Sequence, residues 1–408
     1  MRGRLLIVVV SLAAFGVASA RGAEEGDAPR APVSSAAQLF TCCTPAAFQD
    51  RMFAEAKAGG AEYVRVDVEL NGIFEAAGSR EQPDWRAFDA MLARAESHGV
   101  RLLGILRGSP TWLSDCPERG TKAPLCAPRD PAEFGRIAGE VAAHARGRID
   151  HWEILNEPDA RWAFTGSPEQ YARMLSASHD AIKARAPDAQ VVFGGVERPD
   201  QRAWIDRVLA TKGADAAAKF DIANVHLRLR AGDLLPDLVK QLRGWRALLA
   251  EHGFDGPIWV TEHGYPADPA FQRDPAYRGT AGDVLDGERA QAAFLADSIP
   301  LLAEAGAGQV FVTLRDGAFG EFLVEGLVHV DESRPAYPAA RRLAFATVSG
   351  IARGWDESGL ARARRHADEG EALRRLAGAS LAAGRPVAAA LQEGAAEAHA
   401  ALALELGD

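Results

Sequence analysis

The run His151-Trp152-Glu153-Ile154-Leu155 leads into Asn156-Glu157-Pro158, and Pro257-Ile258-Trp259-Val260-Thr261 leads into Glu262-His263-Gly264-Tyr265. A carboxylate just past a buried strand adds little to packing and is free to move a proton or attack an electrophile. Two such carboxylates facing each other can cleave a glycosidic bond, one as acid/base and the other as nucleophile. Glu153 lies on the same run as Glu157 but earlier, so it is expected deeper, or paired with Arg65. His263 follows Glu262 directly and in an extended strand should face the opposite way. Trp152 and Trp259 fall inside their runs and are read as core.

Two remote glutamates can meet only if the fold brings their strand ends to one place. Eight short apolar runs recur along the chain, at 39–43, 63–68, 101–106, 149–155, 190–193, 222–227, 258–261 and 309–314. Amphipathic stretches with helical spacing separate them, at 45–58, 85–98, 131–145, 168–186, 201–209, 235–251 and 287–304. Asp130-Pro131 and Ser167-Pro168 each place a capping side chain before a first-turn proline. Gly59-Gly60, Gly99 and Gly253 stand where helices should stop. Strands alternating with helices imply parallel βαβ units. Eight units predict an α/β fold of the (β/α)8 TIM-barrel type over residues 37–350. A doubly wound open sheet is the alternative, weakened because no glycine-rich phosphate loop follows the first run.

In such a barrel the C-terminal strand ends form the active face. The polar and aromatic residues due there are Arg65 and Asp67, then Arg107, Ser109 and Trp112, then Asn156, Glu157, Asp159 and Trp162. His226 and Arg228, then Glu262, His263 and Tyr265, then Arg315 and Asp316 complete the rim. Aromatic faces beside hydrogen-bonding groups suit a sugar, which has apolar ring faces and a hydroxyl edge.

Asn156-Glu157-Pro158 after the fourth run and Glu262 after the seventh resemble the signature of the clan A glycoside hydrolases, most closely families 39 and 5. Arg65, His226 and the run from Trp259 to Tyr265 extend the resemblance, which covers roughly residues 37–345. It implies a retaining glycosidase acting on a β-linked saccharide, with Glu157 as acid/base, Glu262 as nucleophile and Asn156 on the sugar 2-hydroxyl. Arg65 would favour ionised Glu262, and His226 would orient the network or contact the sugar directly. Two positions depart from the pattern. Arg228 stands where many members have a Tyr, and Val312-Thr313-Leu314-Arg315-Asp316 lacks the eighth-strand Trp, Phe319 being the nearest aromatic. Arg228 and Arg315 could read an acidic sugar as bidentate anion binders. The departures also leave open a weakened or inactive barrel that binds saccharide, within an exopolysaccharide system. Trp112, Trp162 and Tyr265 complete the expected substrate-binding set, and neither a cofactor nor a metal is expected.

Residues 1–20 have the layout of a cleavable export leader: Arg2 and Arg4, an apolar stretch, then Ala18-Ser19-Ala20. A linker is expected at 21–36. The protein is therefore expected in the periplasm or outside the cell, with no membrane insertion once the leader is cleaved. The formal charge of −10 shows no basic cluster, which argues against nucleic acid as a partner. Export permits disulfides. Cys116 and Cys126 bracket a Pro- and Gly-containing loop and are read as a pair, whereas the adjacent Cys42 and Cys43 are read as free buried thiols. Residues 351–408 are rich in Ala, Arg, Glu and Leu and are expected to form a helical hairpin interrupted near Gly384-Arg385-Pro386, available to a protein partner.

Overall fold

The computed structural model describes residues 33–41, 44–75, 82–197, 201–281, 284–315, 324–328, 343–354 and 359–382, with scattered positions up to 400. Eight strands alternate with helices along the chain. The strands are β1 (Val33–Phe40), β2 (Tyr63–Glu69), β3 (Arg101–Arg107), β4 (Ile149–Ile154), β5 (Gln190–Val192), β6 (Ala223–Leu227), β7 (Ile258–His263) and β8 (Ala307–Thr313). The helices are α1 (Ala46–Ala58), α2 (Leu70–Phe74), α3 (Arg86–His98), α4 (Pro131–His144), α5 (Pro168–Arg185), α6 (Arg202–Leu209), α7 (Leu235–Glu251), α8 (Val284–Glu304), α9 (Leu343–Gly354) and α10 (Gly359–Ala382).

The sheet order is β5-β4-β3-β2-β1-β8-β7-β6, and the strand pairings are parallel. Single parallel bridges, Val192 to Ile222 and Val196 to Val225, span the remaining seam between β5 and β6. The expected (β/α)8 barrel is thus the observed fold. The helix starts follow their signals: Asp130 caps α4, and Ser167 with Gln170 forms a capping box on α5. Gly99 ends α3 in the left-handed conformation.

The first strand lies elsewhere than the apolar run at 39–43. It begins at Val33, so residues 33–36 belong to the barrel and not to a linker. Polar Ser34 and Ser35 hide this strand from a reading of apolar runs. Ser34 is nevertheless buried, donating to Gln309 Oε1 at 3.0 Å and accepting from the Tyr63 amide at 3.1 Å. The leader at 1–20, the rest of the linker, Cys42, Cys43, Asp316 and Phe319 lie outside the described residues.

Side chains along the strands alternate between the barrel interior and the helix layer. Inward positions climb in tiers. Ala36, Tyr63, Leu103, Val192, Ile222, Trp259 and Phe311 form one apolar cluster inside the barrel. His151 of β4 stacks on Trp259 there, with ring centroids 4.9 Å apart. Two residues further along five of these runs the inward side chains are polar: Arg65, Glu153, Asn224, Thr261 and Thr313, all buried. An apolar floor therefore carries a polar layer, and the candidate site rests on it. Trp152 points the other way, into the large core between sheet and helices.

Beyond the barrel, α9 packs against α8. Gly370 of α10 lies so near the segment around 396–399 that a Cβ on it would sit 3.1 Å from the Ala396 carbonyl oxygen. Among the described residues no helix is long and apolar enough to cross a membrane.

Candidate active site

The polar layer is organised by Arg65 at the middle of β2. Its guanidinium donates Nε and Nη2 to the two oxygens of Glu153, each at 2.8 Å, a bidentate pair in which both residues are buried. Nη2 also reaches Asn156 Oδ1 at 2.6 Å, and Nη1 reaches Glu262 Oε1 at 2.6 Å. Burial works against the Arg65 charge, but Glu153 and Glu262 outweigh it and fix the cation. Glu153 is structural, as its depth on the strand implies.

Glu157 leaves β4 through an unusual backbone. Leu155 and Glu157 both have positive φ, 65° and 44°, although neither is glycine. Such conformations are uncommon for side chains with a Cβ and persist only where surrounding contacts enforce them. The turn delivers the carboxylate to the barrel mouth. Glu157 Oε1 pairs with His226 Nδ1 at 2.8 Å, while Oε2 is buried without a hydrogen-bond partner. An unpartnered buried carboxylate oxygen is where a transferable proton or a substrate donor would complete the bonding.

His226 stands between the two glutamates. Its Nε2 lies 3.2 Å from Thr261 Oγ1 and 3.8 Å from Glu262 Oε1. Thr261 Oγ1 in turn donates to Asn224 Oδ1 at 2.8 Å. With its proton spent on Asn224, the Thr261 oxygen can only accept from His226 Nε2–H. Nδ1, on the other side of the ring, faces Glu157 Oε1. Gly195 makes room for this ring, since a Cβ there would lie 2.1 Å from Nε2.

Glu262 is out of phase with the tiers, since Thr261 already points inward. The β6–β7 ladder is irregular between Val225 and His226, and the β7–β8 ladder between Val260 and His263. This bulge lets successive residues of β7 both face His226. Glu262 Oε2 accepts from Arg228 Nη1 at 3.0 Å, opposite its bond to Arg65. Burial alone would raise its pKa, but the charges of His226, Arg65 and Arg228 prevail and hold Glu262 well below the usual carboxylate range. His263 faces outward as expected, its Nδ1 2.8 Å from the Leu227 carbonyl and its Nε2 2.8 Å from Ser298 Oγ.

One oxygen of Glu157, one ring nitrogen of His226 and one oxygen of Glu262 lie within 4.8 Å of one another. Three such ligand atoms could hold a cation, but Arg65 and Arg228 already bring positive charge to Glu262, so the trio is better suited to moving protons. Cys116 and Cys126, near Asp115, form a disulfide with a Cα–Cα distance of 6.1 Å.

The remaining candidates divide. Arg65, Asn156, His226 and Arg228 converge on the glutamates. Arg228 is not poised as an anion binder: it spans Glu262 and Glu325, with Nε 2.9 Å from Glu325 Oε1. Arg315 donates to the Ala37 carbonyl and lies over the Phe48 ring. Tyr265 is 1% exposed, stacks on Phe294 and donates its hydroxyl to the Asp274 carbonyl, so it anchors β7 instead of facing a sugar. Trp112 is half-buried against the core, its indole N–H directed at the Phe74 carbonyl 3.5 Å away. Trp162 is 58% exposed in the loop after Glu157. Asp67 is buried and paired with Arg107 at 2.7 Å. A cavity of ≈ 180 Å³ opens beside Asn156 on the β1–β4 half of the rim, lined by Phe40, Glu69, Asn71, Arg107 and Leu125 among others. The loop stapled by Cys116–Cys126 forms one of its walls.

Reading the sequence missed Glu325, Thr261 and Asn224. Asn224 and Thr261 lie one inward step below the rim, a position that strand periodicity could have flagged. Glu325 sits in a short segment after β8 with no periodic pattern around it, and its only sequence signal is the need of Arg228 for a counter-charge.

No protein-family model and no curated protein matches the chain. Solved structures do. A family 39 glycoside hydrolase from the gut symbiont Bacteroides cellulosilyticus WH2 superposes with a TM-score of 0.57 at 15% identity, over 79% of this chain and 64% of that one. A monomeric β-xylosidase from Caulobacter crescentus CB15 gives 0.56 at 15% identity, over 79% and 69%. An exo-β-1,4-mannosidase from Opitutaceae bacterium strain TAV5 gives 0.56 at 16% identity, over 80% and 59%. What these likenesses establish for this chain is the barrel fold.

Proposed function

We propose that the protein is a retaining glycosidase cleaving β-linked saccharide by double displacement. One observation carries the reading: Glu157 and Glu262 stand within 4.8 Å, atom to atom, Glu262 between two guanidiniums and Glu157 against His226. Retention needs carboxyl groups only ~5–5.5 Å apart, whereas inversion leaves room for a water. Glu262 is ionised and unprotonated, as a nucleophile must be. Glu157 holds one oxygen against His226 and has no protein partner on the second, where the glycosidic oxygen would bond.

In the first step Glu262 attacks the anomeric carbon. The C1–O bond to the leaving group breaks, and the Glu157 proton passes to the departing oxygen. In the second step Glu157 takes a proton from water, the water oxygen bonds to C1, and the bond to Glu262 breaks with its electron pair returning to the carboxylate. Asn156, held by Arg65, offers its amide N–H₂ to the neighbouring hydroxyl. The cavity beside Asn156 would take one end of the saccharide, and exposed Trp162 would offer a ring face on the acid/base side.

The site sets four carboxylates, Glu153, Glu157, Glu262 and Glu325, against two guanidiniums, Arg65 and Arg228. That balance favours an uncharged sugar over a uronate. The relatives of known activity support a saccharide substrate, and leader-like residues 1–20 would place the reaction outside the cytoplasm.

The test is a pair of variants assayed on a panel of aryl β-glycosides. Glu262→Ala should abolish turnover, and azide should restore it with inverted product. Glu157→Ala should spare substrates with good leaving groups and lose ~10²–10⁴-fold on poor ones, the span of general acid catalysis. Full activity in both variants would refute the assignment. A second reading, a barrel that binds saccharide without cleaving it, draws on the two guanidiniums that occupy both Glu262 oxygens. Covalent labelling of Glu262 by a deoxyfluoro glycosyl fluoride would decide for the enzyme.

A further inference from the structure

We infer that Glu325 is a positioning residue of this site, setting through Arg228 how much positive charge falls on Glu262. The inference rests on the proposed role of Glu262 as nucleophile. Arg228, at the end of β6, carries its Nε to both oxygens of Glu325, at 2.9 and 3.3 Å, and its Nη1 to Glu262 Oε2 at 3.0 Å. Thr313 Oγ1 donates to Glu325 Oε1 at 3.0 Å. The Gln291 amide donates to the Glu325 carbonyl at 2.9 Å and to the Tyr265 carbonyl at 2.7 Å, tying this segment to the end of β7. Gly264 leaves the space that the carboxylate fills, since a Cβ there would lie 1.8 Å from Glu325 Oε1. Glu325 is 2% exposed, so it is built into the site and is not a rim charge.

The result is a chain of alternating charge: Glu153, Arg65, Glu262, Arg228, Glu325. Each guanidinium touching Glu262 is shared with a second carboxylate that has no role in bond making. Sharing matters because Glu262 has two opposed tasks. It forms the C1–O bond in the first step and leaves in the second. Positive charge held against it slows the attack and eases the departure. Glu325 draws part of the Arg228 charge away and so balances the two steps.

The experiment compares the two half-reactions in the full chain by stopped-flow with aryl β-glycosides. Glu325→Gln keeps the shape and an acceptor for Arg228 but removes the charge. It should lower kcat/KM on poor leaving groups by about tenfold, with no accumulated intermediate. Arg228→Met should do the reverse, giving a burst of aryl alcohol followed by a slow steady state with a reduced KM. Glu325→Asp, which keeps the charge, should hold the partition near that of the natural protein. A merely structural role predicts that Gln and Asp behave alike. If Glu262→Ala abolishes turnover but Glu325→Gln and Arg228→Met leave the partition unchanged, or move it in the same direction, the inference alone is overturned. Turnover surviving in Glu262→Ala removes the reading of the site and the inference together.

Discussion

Acid should weaken this protein through His263, the residue that fastens β7 to its outer helix. Its ring is fully buried, with Nδ1 on the Leu227 carbonyl and Nε2 against Ser298. Burial, aided by the nearby Arg228 charge, pushes its pKa from 6.5 down to about 4 although the Leu227 bond opposes the shift. The unfolded chain takes up the proton near 6.5, and the folded chain does not until about 4. Stability is therefore full above the unfolded value and falls as pH drops from there towards 4. The whole loss corresponds to about 3 kcal/mol, of which about 2 kcal/mol is gone by pH 5. Other groups titrate in this range too, so the measurement is a difference. Urea unfolding of the natural protein and of His263→Gln, each at pH 8 and pH 5, isolates the ring. The variant should start less stable but lose about 2 kcal/mol less between the two pH values. Equal losses in the two proteins would refute the argument, as would a ring NMR titration midpoint above 6.

Arg65→Met should destabilise the fold by about 3–5 kcal/mol in urea unfolding, because it strands the buried Glu153 and Glu262 carboxylates. Adding Glu153→Leu should recover part of that loss without restoring turnover. Gly195→Ala should drive the His226 ring off Thr261 and Glu157, costing activity on the order of 10²-fold in kcat while leaving the protein folded by circular dichroism. Replacing Cys116 and Cys126 by Ser should lower stability by about 3 kcal/mol, as expected for opening a loop of sequence separation 10, and should raise KM because that loop walls the cavity beside Asn156.

The barrel was legible because its signals repeat. Eight apolar runs, capped helix starts and terminal glycines agree on one architecture, and an error in any single element is absorbed by the others. The strand opening at Val33 was hidden because Ser34 is polar, and its burial depends on Gln309 and Tyr63 far along the chain. Glu157, Glu262 and Asn156 were legible as neighbours because strand ends define the rim, whereas Arg65 stands a layer deeper, at the middle of β2. Arg228 was found but misread. From sequence an arginine at a sugar site looks like an anion receptor, and only the position of Glu325 shows that its charge is already engaged. Tyr265 was misplaced because it was read with the rim, whereas two residues past outward-facing His263 it packs outward too, on Phe294 and the Asp274 carbonyl.

The same geometry explains why Glu262 and not Glu157 should be the group that bonds to carbon. Bond formation turns a carboxylate into a neutral ester. At Glu157 the change would remove the carboxylate charge that faces His226 Nδ1. At Glu262 the change leaves Arg65 paired with Glu153 and Arg228 paired with Glu325, so neither buried guanidinium loses its partner. Around the proposed covalent intermediate the pairs Glu153–Arg65 and Glu325–Arg228 balance, and in the resting state Glu262 adds a further negative charge. Binding is thus asked to stabilise a site that is relieved of charge as the reaction proceeds. Interactions that improve along the reaction coordinate are the ones that raise kcat. On this argument Glu153 and Glu325 matter most once Glu262 has reacted, so their neutral variants should be impaired more in turnover than in substrate binding.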